Sequence, residues 1–315
     1  MLGDAGMKLL SRKIRNSDIT VHHCKTRKAG PTIAITANLH GDECNGVAVV
    51  FKLLELLKNL QRGSVVLYPS LNPLGLQKLT RSLPGWSQDI NRRFPGYNKG
   101  DELDRHVALI WKDLSSYELN AVIDVHTDSG NAFPYVLIDR VLHSNDLLQR
   151  ASWELADVTG LFSIWEYQTK KYKQFRLDRS LAGAVLNQMK VPSITIEVGP
   201  RRHLKPASVD VALLAIHRVL HQHKMLPTAP EPRFSFPRGI WRRVSGPRTI
   251  SEGLILPVAT PGKRLVAGDV IGKMISKDGL LQQEVMATET CVVLAFPDKG
   301  YLCPGQTICT LAVVE

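Results

Sequence analysis

Apolar residues follow two textures along this chain. Up to about residue 226, short unbroken apolar runs alternate with longer segments in which apolar positions recur every three or four residues. The runs at 32–38, 64–69, 121–125 and 193–198 are too short for helices and carry few polar positions, so each predicts a strand buried on both faces. Weaker signals place strands at 18–24 and 134–138. From 43 to 60, Val47, Val50, Phe51, Leu54 and Leu57 recur at helical spacing. Leu103, Val107, Ile110 and Leu114 do the same within 101–117, and helices are also expected at 145–158, 179–189 and 209–221. Strands alternating with amphipathic helices predict an α/β domain, a mixed central sheet with helices on both faces.

Two stretches break the rhythm. Residues 72–100 are rich in Gly, Pro and Asn and lack periodicity, which reads as a long loop. Loops of that length inside a compact domain are usually functional, and this one holds Arg81, Asn91 and Arg92. Near Leu226 the texture changes: Pro227, Pro230, Pro232 and Pro237 crowd a short linker. Beyond it only short strand-like segments and turns remain. The reading is a catalytic α/β domain over 1–226 and a small C-terminal all-β domain over 238–315.

Composition narrows the class. The chain has 315 residues, 44% of them hydrophobic, enough for a normal core. No apolar run approaches the ~18 residues that span a bilayer, and the first residues carry no signal-peptide pattern. A cytoplasmic protein without a membrane partner is expected. The five cysteines are odd in number and include no C-x-x-C pair, which argues against a disulfide framework or a thiolate zinc site. Cys44, beside Glu43, reads as a small buried residue. The formal charge of +11 is scattered in pairs such as Arg92-Arg93 and Arg201-Arg202. The basic-aromatic stretch 170–176 reads as a solvated loop, so no nucleic-acid partner is expected.

The chemistry gathers at strand ends. The run 32–38 ends in Asn38-Leu39-His40-Gly41-Asp42-Glu43, a strand-to-helix turn that could aim His40 and Glu43 at one ion. A hydrolytic zinc site needs about three His or carboxylate ligands and an open position. His126 ends another buried strand and supplies a third candidate, because the ends of neighbouring strands converge on one crevice. Glu197 ends yet another, where a lone carboxylate is costly unless it has a task, such as general base. Each residue alone has a plain explanation: a loop histidine on a carbonyl, a strand cap, or a Glu197 paired with Arg201 or Arg202. Together they share a placement that the other histidines lack.

Asn38-Leu-His40-Gly-Asp-Glu43-x-x-Gly46, Asp89-Ile-Asn91-Arg92-x-Phe94-Pro95-Gly96, Asp124-Val-His126 and Ile196-Glu197-x-Gly199 together resemble the succinylglutamate desuccinylase/aspartoacylase family of the zinc carboxypeptidase-like superfamily. The resemblance runs over about 18–315, including the C-terminal β region. It implies one Zn2+ per subunit held by His40, Glu43 and His126, with Glu197 as the catalytic carboxylate. It also implies that Asn91 and Arg92 hold the substrate's carboxylate and that Arg81 polarises the scissile carbonyl. The family's later substrate-side arginine and tyrosine have no clear match; Arg176 and Tyr172 are the stand-ins.

The expected activity is therefore hydrolysis of an amide in a small, carboxylate-bearing N-acyl amino acid. The alternatives are a metallocarboxypeptidase acting on a small or cell-wall peptide, and a non-catalytic binding protein. Exposed strand edges in the β region could also pair copies into a homo-oligomer.

Overall fold

In the computed structural model, which describes residues 6–228, 231, 236 and 239–315, every strand expected from an apolar run forms. In chain order come β1 (Lys8–Lys13), β2 (Thr20–Lys25), β3 (Thr32–Ala37), α1 (Asn45–Leu56), β4 (Ser64–Tyr68), α2 (Pro73–Lys78), α3 (Glu102–Leu114), β5 (Ala121–His126), β6 (Asn131–Ala132), β7 (Tyr135–Ile138), α4 (Asp146–Val158), β8 (Phe162–Trp165), α5 (Thr169–Gln174), α6 (Leu181–Ala184), β9 (Ser193–Glu197) and α7 (Pro206–Gln222). The strands lie in the order β1-β2-β4-β3-β5-β9-β7-β8. β4, β3, β5 and β9 are mutually parallel, β7 runs antiparallel to β9, and β1 and β2 form an antiparallel edge, so the sheet is mixed.

Period-2 alternation gives this sheet two buried faces. Ile33, Ile35, Val65, Leu67, Ile123, Val125, Ile194 and Ile196 point to one face, covered by Val49 and Leu53 of α1, Leu155 of α4 and Val209 and Ile216 of α7. Ala34, Val66, Tyr68 and Val122 point to the other, covered by Leu103, Val107 and Ile110 of α3 and Leu181 of α6. The apolar stripe of α3 is thus one wall of a core.

Several segments depart from the sequence expectation. Residues 72–100 are not a plain loop. Asn72 caps the six-residue helix α2 by accepting from Gly75 N–H, with Pro73 at its first turn, and a 3-10 turn spans Ile90–Arg92. Neither is long enough to show a hydrophobic period. The basic stretch 170–176 lies largely within α5, and its Tyr172 is buried, so it is no solvated loop. β1 arises from a segment exposed throughout, its Leu9 and Leu10 included, and β8 from only four residues; pairing to a neighbour makes both strands.

The C-terminal part is all β among the described residues: β10 (Trp241–Ser245), β11 (Gly253–Pro257), β12 (Arg264–Leu265), β13 (Val270–Ile275), β14 (Leu281–Met286), β15 (Cys291–Phe296), β16 (Tyr301–Leu302) and β17 (Thr310–Val314). β10 meets β8 through Arg242 and Trp165 and carries β17, β15 and β12 as a continuation of the main sheet. β14, β13, β11 and β16 form a second, antiparallel sheet, and Ile271 and Met274 of β13 share a core with Val293 of β15 in the first sheet. Of the linker prolines, Pro230, Pro232 and Pro237 lie outside the described residues.

Candidate active site

On the α3/α6 face, the three central strands change character towards their carboxyl ends. β3 reads Ala34, Thr36; β5 reads Val122, Asp124, His126; β9 reads Ser193, Thr195, Glu197. Register sets Thr36 opposite Asp124, Asp124 opposite Thr195, and His126 opposite Glu197. One face of one sheet therefore turns polar at a single place, the carboxyl end where α/β crevices form.

The turn after β3 is built by its own polar residue. Asn38 is in the left-handed region (φ 53°), which an Asn tolerates better than most residues. Its amide nitrogen donates to the carbonyls of His40, Gly41 and Glu43 at 3.0, 3.1 and 3.2 Å, and its oxygen accepts from Ser70 at 2.6 Å. At Gly41 a Cβ would lie 2.1 Å from the Gly75 carbonyl carbon, so only glycine fits between this turn and α2.

His40, Glu43 and His126 meet in this crevice, with ligand atoms within 4.8 Å of one another and all three residues buried. His40 Nδ1 lies 2.8 Å from Glu43 Oε1, and His126 Nδ1 lies 2.9 Å from Glu43 Oε2. Each ring's Nε2 faces another carboxylate: Asp89 at 2.9 Å for His40 and Asp124 at 2.8 Å for His126. A neutral imidazole that donates through Nε2 presents its Nδ1 lone pair, so both rings are oriented for coordination. Asp124 is held by Thr36 Oγ1 at 2.7 Å, and Asp89 by Asn91 N–H at 2.8 Å. Two such imidazoles with one carboxylate form a donor set that suits a divalent ion such as zinc.

The charges support that reading. Burial alone would raise the Glu43 carboxyl, but His40 and His126 outweigh it and hold the group well below the usual carboxylate range. Burial works against a charged His126, yet Asp124 and Glu43 prevail and push it well above the ordinary histidine value.

Glu197 faces this cluster from β9. Burial pushes its carboxyl up to about 8, with Asp128 and Glu43 adding to the shift and His126 and Arg243 opposing it. Its Oε2 is buried and has no hydrogen-bond partner among the described residues. All seven residues singled out from sequence, His40, Glu43, Arg81, Asn91, Arg92, His126 and Glu197, line one cavity of about 110 Å³. Arg81, 42% exposed at its side chain, pairs with Asp89 at 3.0 Å and Glu43 at 3.4 Å. Asn91 Oδ1 accepts from Leu181 N–H at 2.7 Å, which fixes the carboxamide.

The two stand-ins do not reach the cavity. Arg176 is exposed, and Tyr172 is buried with its hydroxyl on Asp139 at 2.6 Å. The extra arginine of the cavity is Arg243 of β10, paired with Glu166 at 3.1 Å. Nothing in the local sequence marks Arg243, because it arrives from the C-terminal part of the chain. Asp89 and Asp124 were visible as neighbours of the motifs, but only the fold reveals what they hold.

Other depressions among the described residues are larger, from about 310 Å³ to about 480 Å³, but none of them gathers a comparable set of ligating groups. Chemistry, not size, locates the site.

A family model described as the succinylglutamate desuccinylase/aspartoacylase catalytic domain matches residues 29–223. No curated protein matches the chain in sequence. Among solved structures, a succinylglutamate desuccinylase/aspartoacylase from Rhodobacter sphaeroides is similar with a TM-score of 0.79 at 18% identity, over 98% of this chain and 95% of that one. An aspartoacylase family protein from Mesorhizobium loti gives 0.77 at 18% identity, over 98% and 95%. A metallo-carboxypeptidase from Burkholderia cenocepacia gives 0.55 at 13% identity, over 69% and 64%. At such identities these likenesses speak to the fold, and the last connects it to the carboxypeptidase-like architecture.

Proposed function

The chain belongs to the succinylglutamate desuccinylase/aspartoacylase family, and on that premise we propose that it is a zinc-dependent amidohydrolase that deacylates a small N-acyl amino acid. The observation that carries the reading is the convergence of His40, Glu43 and His126 opposite an unpartnered Glu197.

His40 and His126 would hold the ion through Nδ1 and Glu43 through its carboxylate. A bound divalent ion supplies Lewis acidity at the scissile carbonyl and makes water easier to deprotonate. Glu197 takes the proton of the attacking water and returns it to the leaving nitrogen. Arg81, tethered to Asp89, offers its guanidinium to the oxygen on which negative charge develops. Arg92 presents a planar fork to the substrate carboxylate, and the Asn91 amide nitrogen adds a hydrogen bond while its oxygen stays on Leu181. The water's oxygen ends on the acyl carbon, and the amine leaves with the transferred proton. A cavity of about 110 Å³ favours a small amide over a peptide.

The test is metal analysis by atomic emission, followed by amine release from a panel of N-acyl amino acids beside dipeptides. Zinc near one per chain, lost in His126→Ala, and release from acyl amino acids are expected. A chain that takes up no divalent ion, or that cleaves only dipeptides, would sink the reading.

A further inference from the structure

His126 and Glu197 end β5 and β9, and each is followed by an irregular turn, Thr127-Asp128-Ser129-Gly130 and Val198-Gly199-Pro200-Arg201. The two turns lean on each other. Val198 N–H donates to the His126 carbonyl at 2.9 Å, and Thr127 Oγ1 donates to the Val198 carbonyl at 2.7 Å. At Gly199 a Cβ would lie 2.3 Å from the Ser129 carbonyl oxygen, so glycine lets the turns come this close. Both also reach the turn after β3. Thr127 N–H donates to Glu43 Oε2 at 2.9 Å, and Arg202 N–H donates to the Asp42 carbonyl at 2.7 Å. Thr127 and Asp128 line the catalytic cavity themselves. A displacement of either turn would therefore move a wall of the cavity, and His126 and Glu43 with it.

One side chain joins the outer ends of both turns, and it comes from the C-terminal part of the chain. Asp298 lies between β15 and β16. Its Oδ1 accepts from Gly130 N–H at 2.6 Å. Its Oδ2 accepts from Arg201 Nε at 2.9 Å and from a terminal nitrogen of the same guanidinium. Gly130 and Arg201 hold corresponding places, four residues beyond His126 and four beyond Glu197. Backbone pairing of Asn131 with Phe296 and of Ala132 with Ala295 brings the first turn to this carboxylate.

Magnitudes separate a positioning role from a plain staple. The Arg201 and Asp298 side chains are 22% and 39% exposed, and a partly exposed ion pair contributes little to folding. A reacting group displaced by about 1 Å loses about 100-fold in rate. The loss of Asp298 should therefore show in turnover far more than in stability.

We propose that Asp298 is a positioning residue of the active site: one carboxylate holds the turn after His126 and the turn after Glu197 in register, so that Glu197 faces His40, Glu43 and His126. The inference rests on the deacylase reading above and adds to it a residue of the C-terminal part that acts without touching substrate.

The experiment compares the parent protein with Asp298→Ala, Arg201→Met and the double variant, all full-length and zinc-loaded, on the N-acyl amino acid that the parent hydrolyses fastest. Asp298→Ala is expected to lose about 10- to 100-fold in kcat with KM changed by less than about 3-fold, while the thermal unfolding midpoint stays within about 3 °C of the parent. Arg201→Met releases one arm of the clamp and is expected to lose less. The double variant is expected to be no slower than Asp298→Ala, because both changes act through one carboxylate. Hydrogen exchange at the Thr127 and Val198 amides, read without substrate, gives a measure apart from turnover. Both amides are expected to exchange about 10-fold faster in Asp298→Ala. A kcat within about 2-fold of the parent, or unchanged exchange at both amides, overturns the positioning role and leaves the deacylase standing. A fall in kcat matched by a midpoint lowered by about 10 °C or more assigns Asp298 to folding alone and overturns it as well. If Asp298→Ala does not fold, Arg201→Met decides by the same criteria. Zinc-loaded parent protein that hydrolyses no acyl amino acid overturns the deacylase reading and the positioning role with it.

Discussion

Glu197 and Asp139 are both carboxyls taken out of water on the same face of the sheet, and their surroundings separate their tasks. Glu197 lies level with His126, and its Oε2 has no hydrogen-bond partner among the described residues. Glu197→Gln keeps shape and hydrogen bonding but cannot accept a proton, so metal content by atomic emission should stay near the parent value while turnover falls by at least ~100-fold. Near-normal turnover in that variant would remove the base from the mechanism. Asp139, with its carboxyl at about 7, makes a different prediction. Between about pH 4 and 7 the native state keeps a proton that the unfolded chain has released, so the native state loses stability as pH rises through that window. Asp139→Asn has no such loss. By chemical denaturation it should gain on the parent protein between pH 5 and pH 8, by on the order of 2 kcal/mol. A gap that does not change with pH would show that Asp139 is not held in this way.

Individual elements decide how the rings of His40 and His126 point. Asp124 and His126 are two residues apart on β5, so the pleat puts both on the same face and one carboxylate orients the ring of its own strand. Asp89 performs the same task for His40 from the 3-10 turn Ile90–Arg92, a separate element 49 residues further along the chain. Asp124→Asn and Asp89→Asn should each weaken zinc binding about 10- to 100-fold, measured by competition with a chelator. Unchanged affinity in both would mean that the carboxylates do not set the rings. The same elements show how far pattern alone reaches. The switch from Val122 to Asp124 to His126, and from Ser193 to Thr195 to Glu197, is plain in the sequence because a strand's period is two. The 3-10 turn carrying Asp89 and Asn91 has no period, so it reads as loop until the fold holds it.

At the scale of the whole molecule, the β part is more than an appendage, because β10 extends the main sheet and inserts Arg243 into the cavity. Arg243 is half-buried; desolvation would lower its basicity, but Glu166 and its neighbours keep it firmly charged. Removing the guanidinium strands Glu166 as a buried, unpaired charge. Arg243→Met should therefore cost about 3–5 kcal/mol in stability, and Arg243→Met combined with Glu166→Gln should recover much of it, both read by denaturant unfolding. A double variant no more stable than the single one would show that the pair is not the cause. Among the described residues no helix is long and apolar enough to cross a membrane.

Sequence by itself determined the buried strands, the amphipathic helices, the all-β tail and the four motifs that supply His40, Glu43, His126 and Glu197. Each of these is written in local periodicity or in residues a few positions apart. Only the tertiary structure decided that Arg243 and not Arg176 enters the cavity, that Tyr172 serves Asp139, and that Asp89 and Asp124 hold the two rings. The reason is distance along the chain: Glu166 and Arg243 are 77 residues apart, and His126 and Glu43 are 83. Hydrophobic period records which face of an element is buried, but which polar side chains meet across elements depends on strand order and register.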